Sequence, residues 1–345
     1  MPSHHAVPSF SVIPGQQVHT VLTGAEKQVV ELVEAGYRLH AEGRTVNPPS
    51  YFLTFPDRPG SRIIALPASL GGDAPVDGLK WISSVPANIA SGLPRASGVL
   101  ILNDPVTGYP YACLETSIIS AARTAGSAAL AAATLSRPGA RPRRIGFVGT
   151  GLIARYIHTY LVRAGWDFEE TGVHDLSAEH ARGFCGYLEQ AGVDGRRIVV
   201  HDRAEDLIRG SDLVVFATVA GEPHIHEPEW FAHRPLVLNI SLRDLAPEVV
   251  LAAANFVDDL DHCLRANTSV HLAEQRTGGR HFVDGTLADV LAGRVEPPED
   301  KPVVFSPFGL GVLDLIVGEF VHERLRETGR LASVDGFFHD LSRHG

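Results

Sequence analysis

The sequence predicts an α/β fold in which a doubly wound parallel sheet is joined to a second, α+β domain. One observation is a glycine fingerprint, Gly149-x-Gly151-x-x-Ala154, which ends an apolar strand-like run and leads into the helix-like segment 153–162. A second is that strand-like and helix-like segments alternate from there to about residue 306, with short connections. Before the fingerprint, strand-like runs instead follow one another through turns.

The N-terminal part predicts a mostly antiparallel sheet with one covering helix. The run 10–13 is strand-like, and Thr23-x-x-Glu26 has the pattern of a capping box, from which a helix would extend to about Gly43. Further strand-like runs lie at 51–55, 62–67, 78–83, 98–103 and 109–115. The turn 103–108 has the composition of a hairpin connection.

The alternating part begins with a long alanine-rich helix expected at 117–135. Strands are then expected at 170–174, 197–201, 212–218, 236–240, 256–260 and 303–306, with helices at 178–190, 204–209 and 247–254 and another after 260. A polar linker with two prolines, 294–301, precedes the last strand. The final amphipathic helix, 312–328, is expected to return to the N-terminal domain.

Bulk properties narrow the class of protein. The 345 residues are enough for two domains, and a composition of 44% hydrophobic and 20% charged residues is typical of soluble proteins. The formal net charge of −10 argues against nucleic acid or an anionic membrane as partner. Cys113, Cys185 and Cys263 are far apart, which favours reduced thiols. The first residues lack a signal-peptide pattern, and the longest apolar stretch, 121–135, carries an arginine, so we expect a cytoplasmic protein.

The fingerprint predicts a dinucleotide site. Gly149 permits the tight turn, Gly151 lets backbone N–H groups approach a pyrophosphate, and Ala154 lets the following helix pack on the sheet. The helix N-terminus adds unpaired donors and partial positive charge. Asp175 ends the next strand-like run, where such folds place the acid that binds the ribose hydroxyls, and no arginine directly follows it. NAD is therefore favoured over NADP, and the alternative is a strand-to-helix turn without a cofactor.

Four charged residues outside the fingerprint are candidates for chemistry. Lys80 lies between apolar neighbours in a strand-like run, although it could also face solvent on an edge strand. Arg123 is the one charge in an alanine-rich helix and needs an anion, either a ligand or the carboxylate of an internal salt bridge. Asp244 follows a strand of the parallel sheet, where it could transfer a proton or cap the next helix. Arg62 opens a strand and could face the substrate.

Two short histidine-containing runs have the look of metal ligands. They are His224-Ile225-His226 and Asp261-His262-Cys263. Neither supplies three or four ligands at an established zinc spacing, so we expect no metal site.

Four segments resemble the ornithine cyclodeaminase/μ-crystallin family. They are Gly78-Leu79-Lys80-Trp81, the helix around Ser120-Ala121-Ala122-Arg123-Thr124-Ala125, Gly149-Thr150-Gly151-Leu152-Ile153-Ala154, and Phe305-x-x-x-Gly309-Leu310-Gly311-x-x-Asp314. The resemblance implies that Lys80 and Arg123 bind the substrate carboxylate and that Asp244 is the catalytic acid. It also implies that Lys80 is one of the catalytic residues. The cofactor would be bound by Arg123, Thr124, Gly149, Thr150, Gly151, Leu152, Ile153, Asp175, Thr218, Val219, Ser241 and Gly309.

The family resemblance also implies the roles of the two domains. Residues 1–125 with 308–345 would form a substrate-binding and dimerisation domain, and 126–307 a Rossmann domain that binds NAD. The N-terminal sheets of two subunits would pair to form a homodimer.

One branch of the family is the most similar, namely the dehydrogenases that oxidatively hydrolyse N-(2-amino-2-carboxyethyl)-L-glutamate in siderophore-type 2,3-diaminopropionate biosynthesis. The segments 62–72, 80–82 and 95–105 carry this similarity. An arginine that cyclodeaminases have after the first helix is replaced by Asn47-Pro48, so Arg62 is a candidate for that carboxylate contact. The alternatives are an ornithine or lysine cyclodeaminase that recycles its NAD, and a ligand-binding protein of μ-crystallin type without turnover.

Overall fold

The protein forms two compact units, each with its own sheet. The computed structural model describes residues 8–137, 139 and 141–339, so the ends of the expected first domain, 1–7 and 340–345, lie outside the described residues. The first unit contains the residues up to Arg123 and those from Leu310 onwards, and the second is Thr124–Gly309. The predicted α/β class, with one parallel sheet, is confirmed.

The first unit is built on a mostly antiparallel sheet. Its strands are β1 (Ser11–Ile13), β2 (Thr45–Val46), β3 (Tyr51–Thr54), β4 (Arg62–Leu70), β5 (Val76–Ser84), β6 (Ala96–Asn103) and β7 (Pro110–Glu115). They lie in the order β1-β7-β6-β5-β4-β2, with β3 also paired to β4, and only the β1–β7 pair among them is parallel. The predicted strands were correct to within a few residues at their ends.

Two helices at the N-terminus differ from the prediction. Helix α1 (Gly15–Leu22) was not predicted, and helix α2 (Glu26–Ala41) begins without a side-chain cap. The predicted capping box is wrong, because Thr23 ends α1 and the Glu26 carboxylate accepts a hydrogen bond from the backbone N–H of Gly24 at 3.1 Å. Helix α1 buries only Val18 and Leu22, which is too short an apolar repeat to stand out in the sequence.

The strand register of the first unit gives its sheet two different faces. Leu66, Lys80 and Leu100 pair side by side across β4, β5 and β6 and are all buried. The neighbouring row includes Trp81 and Val99, which are 41% and 38% exposed, because successive side chains of a strand point to opposite faces.

Helix α3 (Ser117–Leu135) was predicted with the observed bounds. It has 19 residues and a mean hydropathy of 1.3, which would allow a membrane crossing by length and composition, and 67% of this apolar window is buried inside the protein. A mostly buried core helix of a soluble protein passes the same test. The boundary between the two units falls within this helix, after Arg123.

The second unit is an eight-stranded sheet in which every described pair is parallel. Its strands are β8 (Arg144–Val148), β9 (Glu170–His174), β10 (Ile198–Val200), β11 (Leu213–Phe216), β12 (Leu236–Asn239), β13 (Ala254–Val257), β14 (Val283–Thr286) and β15 (Val303–Ser306), in the order β10-β9-β8-β11-β12-β15-β13-β14. Its helices are α4 (Leu152–Arg163), α5 (Ala178–Gln190), α6 (Ala204–Gly210), α7 (Pro247–Leu251), α8 (Leu260–Cys263), α9 (Ser269–Thr277) and α10 (Leu287–Leu291). Strand β14 was missed because its sequence, Val-Asp-Gly-Thr, lacks an apolar run.

The last helix, α11 (Gly311–Glu327), returns to the first unit as predicted and packs on β4, β5, β6 and α2. Close packing depends on glycines. A Cβ atom at Gly318 would lie 2.2 Å from the Leu100 side chain, and one at Gly36 would lie 2.8 Å from the Leu313 side chain. A larger residue at Gly318 would push α11 away from the sheet, and one at Gly36 would push it away from α2. Because α11 is held this closely, its Asp314 is placed in the interior of the first unit.

Candidate active site

Lys80 is buried in the first unit, on a central strand. Its Nζ atom donates a hydrogen bond to Asp314 Oδ2 at 2.6 Å and lies 3.4 Å from Ser120 Oγ. The alternative considered for this residue, a lysine on the solvent face of an edge strand, is therefore wrong. An ammonium group in this setting is retained only where a partner offsets the cost of removing it from water.

Arg123 reaches the same carboxylate from helix α3. Its Nε atom donates to Asp314 Oδ1 at 3.2 Å, and its Nη2 atom donates to Ser120 Oγ at 3.4 Å. The internal salt bridge that was considered as an alternative is therefore present. It does not neutralise the group, however, because two cations share a single carboxylate.

We call Lys80, Ser120, Arg123 and Asp314 the Lys80 cluster. Its net charge is positive, and the pKa of Lys80 shows the effect. Burial first, and then the charge of Arg123, lower this pKa to about 8, although Asp314 opposes both. The carboxylate of a ligand would supply the missing negative charge, so the cluster is suited to binding an anion.

Asp314 had no assigned role in the sequence analysis, although it stood in a recognised motif. The available signal was a single carboxylate within the apolar run 312–317. A second unassigned contact involves Asn47. Its side-chain oxygen accepts a hydrogen bond from the backbone N–H of Val312 at 3.2 Å, so it holds the start of α11.

The glycine turn of the second unit is tightly packed at one glycine and open at the other. Gly149 has φ +86°, and a Cβ atom there would lie 2.7 Å from the carbonyl oxygen of Ala217. Gly151 is the N-cap residue of α4, and a Cβ atom there would meet no atom within 4 Å among the described residues beyond its chain neighbours and the backbone of its own helix. The first turn of α4, with Leu152 and Ile153, has no side-chain cap, so its N–H groups are available to a ligand.

Asp175 follows β9 and holds the same turn. Its Oδ2 atom accepts hydrogen bonds from the Thr150 backbone N–H at 3.0 Å and from Thr150 Oγ1 at 2.7 Å. Its Oδ1 atom accepts one from the Ser177 backbone N–H at 2.9 Å. The acid is thus placed beside the fingerprint, as a ribose-binding residue would be.

Asp244 has a relative exposure of 0% and accepts hydrogen bonds on both carboxylate oxygens. Thr218 Oγ1 donates to Oδ1 at 2.5 Å, His224 Nε2 lies 3.0 Å from the same oxygen, and Ser241 Oγ donates to Oδ2. We call these four residues the Asp244 cluster. The alternative role for Asp244, capping α7, is wrong, because Ala246 is the N-cap residue and no side chain caps that helix.

The loop that carries Asp244 is held in a strained conformation. Leu242 has φ +76°, a value that non-glycine residues seldom adopt. Its carbonyl oxygen accepts a hydrogen bond from Ser269 N at 2.8 Å, and Ser269 Oγ accepts one from Leu245 N at 3.2 Å. Strain of this kind persists only where the surroundings impose it, and it is common at functional sites.

From the sequence, His224 was considered only as a possible metal ligand. In the structure its side chain is 39% exposed, while the Asp244 carboxylate beside it is fully buried. It is therefore the exposed end of the Asp244 cluster. Its position after β11 in a parallel sheet was the signal that could have identified it.

Two other cofactor candidates follow strands of the parallel sheet, and a third lies in helix α3. Val219 follows β11 and is 68% exposed. Gly309 has φ +94°, and its backbone N–H donates to Asp258 Oδ2 at 2.6 Å. Thr124 lies in α3 directly after Arg123, in the second unit. Their roles in cofactor binding stay predictions.

Arg62 is not part of the Lys80 cluster. It begins β4, where it pairs with Ser84, whereas Lys80 pairs with Leu66. Burial lowers the pKa of Arg62, and its buried Nε atom has no hydrogen-bond partner among the described residues.

One group of side chains in the described part of the chain could hold a metal ion by geometry alone. Ligand atoms of Glu319, His322 and Glu323 lie within 4.8 Å of one another on α11. Two of these groups already have other partners, because Tyr111 donates a hydrogen bond to Glu319, and Glu323 pairs with Arg326. Neither histidine-containing run considered in the sequence contributes to this group.

Comparison with known proteins identifies the family. The model of the ornithine cyclodeaminase/mu-crystallin family matches residues 16–329. The N-((2S)-2-amino-2-carboxyethyl)-L-glutamate dehydrogenase of Staphylococcus aureus (strain NCTC 8325 / PS 47) is 28% identical over 313 residues, which are 88% of this chain and 92% of that protein.

Two solved structures are similar over almost the whole chain. The crystal structure of CmnK has a TM-score of 0.86 and 31% sequence identity, covering 96% of this chain and 100% of that one. An archaeal alanine dehydrogenase dimer with bound NAD has a TM-score of 0.84 and 26% identity, covering 95% of this chain and 100% of that one.

Proposed function

The chain belongs to the ornithine cyclodeaminase/mu-crystallin family, and we propose that it is an NAD-dependent oxidoreductase acting on N-(2-amino-2-carboxyethyl)-L-glutamate. The adduct, NAD and water would give L-2,3-diaminopropionate, 2-oxoglutarate, NADH and a proton. The bond that breaks joins the glutamyl α-carbon to the amine nitrogen. NAD, when bound, accepts the hydride of that carbon.

The observation that carries this proposal is the positive charge of the Lys80 cluster. Lys80 and Arg123 share Asp314, which leaves one positive charge without a protein counterion within the cluster. A substrate carboxylate would complete the cluster, and it would fix the adjacent carbon in one position. Holding a reacting carbon in one geometry raises the rate of its reaction as well as the affinity.

The cofactor would be held by the glycine turn and the N-terminus of α4. The open position beside Gly151 and the tight position of Gly149 fit a pyrophosphate at this turn. Asp175 would accept hydrogen bonds from the ribose hydroxyls. The archaeal alanine dehydrogenase of similar structure has NAD bound, which supports this choice of cofactor.

The Asp244 cluster would move the proton that the reaction releases. Oxidation of the amine to an imine releases a proton from nitrogen, and addition of water then requires proton transfers between oxygen and nitrogen. Asp244 is fully buried, so the exposed ring of His224 would exchange the proton with the reacting groups. Asp244 would orient this ring and stabilise its protonated form, as a buried carboxylate does beside a histidine.

We also propose that two subunits form a homodimer through the exposed face of the first unit's sheet. Tyr51, Trp81 and Val99 lie in one cross-strand row and are 68%, 41% and 38% exposed. An apolar row of this kind is typical of a protein–protein interface. The archaeal alanine dehydrogenase of similar structure is a dimer, which supports this proposal.

The cellular role would be the supply of 2,3-diaminopropionate for a siderophore or a peptide antibiotic, in the cytoplasm.

One experiment tests this function against its alternatives. Purified protein is incubated with NAD and either the adduct or ornithine, the absorbance of reduced cofactor is followed, and the products are identified. We expect NADH to accumulate in a 1:1 ratio with 2-oxoglutarate from the adduct. Cyclisation of ornithine without NADH accumulation would instead identify a cyclodeaminase, and binding of the adduct without turnover would identify a ligand-binding protein.

A further inference from the structure

Two arginines lie together at one end of the first unit's sheet. Arg62 begins β4, and Arg95 directly precedes β6. Both meet Ser84, the last residue of β5. Ser84 pairs with Arg62 across the strands, and its Oγ atom accepts a hydrogen bond from Arg95 Nη1 at 2.6 Å.

Neither arginine has an acidic partner among the described residues. No carboxylate in the part of the chain that the structure describes forms an ion pair with Arg62 or Arg95, in contrast to Arg143 and Arg144, which pair with Glu169 and Asp212. Both side chains are partly buried, and the Nε atom of Arg62 is fully buried without a partner among these residues.

Charge effects agree with this geometry. Burial lowers the pKa of both arginines, and the charge of Arg62 lowers the pKa of Arg95 further. Arginine nevertheless remains protonated in proteins. Two adjacent guanidinium groups therefore repel each other until an anion lies between them. A carboxylate is the anion whose geometry the guanidinium fork matches.

Arg62 and Ser84 lie on the same sheet face as Lys80, and the Arg95 guanidinium reaches this face through its hydrogen bond to Ser84. The cross-strand pairs are Arg62 with Ser84 and Leu66 with Lys80. Side chains two or four residues apart on a strand share a face, so Ser84 and Lys80 point to the same side of β5. At roughly 3.4 Å per residue, four residues separate their Cα atoms by about 14 Å. The long lysine and arginine side chains can shorten this gap.

We propose that Arg62 and Arg95 bind a second carboxylate of the substrate, distinct from the one held by the Lys80 cluster. This inference rests on the proposed function and deepens it, because it assigns the class of substrate. The site would select compounds with at least two carboxylates. Ornithine and lysine carry a cation at their far end, which the arginine pair would repel.

The test compares two probes that differ by one carboxylate. 2-Oxoglutarate and pyruvate are titrated into NAD-saturated protein by calorimetry. The variants are Arg62→Gln, Arg95→Gln and the conservative Arg95→Lys. The matched control is Arg58→Gln, four residues before Arg62, whose exposed side chain lies beside Asp57.

We expect wild-type protein to bind 2-oxoglutarate about 10–100-fold more tightly than pyruvate, as for one charge-assisted carboxylate contact. Arg62→Gln and Arg95→Gln should each lose most of this preference without changing pyruvate binding. Arg95→Lys should retain part of it, and Arg58→Gln all of it.

Equal affinity of the wild-type protein for the two probes would overturn the inference, whether or not the variants fold. An unchanged preference in both glutamine variants would overturn it as well. The proposed reaction can fail separately. A preference for 2-oxoglutarate in a protein that does not turn over the adduct would support the dicarboxylate site and reject only the assigned reaction.

Discussion

The Lys80 cluster and the Asp244 cluster each contain one buried carboxylate, yet the charges around these carboxylates differ. Asp314 faces two cations, so the Lys80 cluster has a net positive charge. Asp244 faces two hydroxyl groups and an imidazole, and neither lysine nor arginine offsets its negative charge within the cluster. The imidazole is the one group beside it that can accept a proton. We propose that the first arrangement binds an anion and that the second holds and moves a proton.

The largest effect should follow from removing the charge of the second cluster. We expect Asp244→Asn to lower kcat by about 10³-fold, because proton transfer would lose the carboxylate that stabilises the protonated imidazole. NAD binding should be unchanged, which fluorescence titration would measure. Asp261→Asn, at an exposed acid of the same unit, is the control. Turnover close to that of the wild type would remove Asp244 from the mechanism.

Removing the Asp314 carboxylate from the Lys80 cluster should lower the stability of the protein. Asp314→Asn would leave Lys80 and Arg123 buried beside each other without a counterion, and we expect the free energy of unfolding to fall by about 3–5 kcal/mol. Urea denaturation measures this change. A loss below about 1 kcal/mol would contradict the assignment of Asp314 as the shared counterion.

Lys80→Met should act on binding instead. The variant keeps a neutral pair of Arg123 and Asp314, so we expect little loss of stability. Affinity for the substrate carboxylate should fall about 10–100-fold, the effect of one charged hydrogen bond. Steady-state kinetics would show this as an increase in KM. If kcat fell alone, Lys80 would belong with the proton-transfer residues.

The smallest effect is a dependence on pH. Because the pKa of Lys80 is lowered to about 8, this lysine is charged below that pH and loses its proton above it. We therefore expect KM for the carboxylate substrate to rise as the pH increases above about 8. In Lys80→Arg, whose guanidinium stays charged, KM should remain flat over the same range. A rise of equal size in the variant would assign the effect to another group.

Local patterns in the sequence predicted most of the fold, and they singled out several of the residues that the structure brings together. The glycine fingerprint, the bounds of α3 and the burial of Lys80 each depend on residues close together in the chain. Partners distant in sequence were not predictable in this way. Lys80 and Asp314 are 234 residues apart, and no local pattern indicates that they share a hydrogen bond.

The same limit explains a contact and a helix start that the sequence did not indicate. His224 contacts Asp244, which lies 20 residues further along the chain and follows a different strand of the parallel sheet. Thr23-x-x-Glu26 satisfied the capping-box pattern, but Thr23 is the C-cap residue of α1, a helix that was not predicted. Long-range pairing and neighbouring elements decided both cases.

Binding of the adduct to NAD-saturated Asp244→Asn protein tests the division between the two clusters most directly, because this variant should bind without turning over. Calorimetry should give the variant a Kd within a few-fold of the wild-type KM, and adding Lys80→Met should raise that Kd about 10–100-fold. Loss of adduct binding in Asp244→Asn alone, or an unchanged Kd in the double variant, would contradict the account.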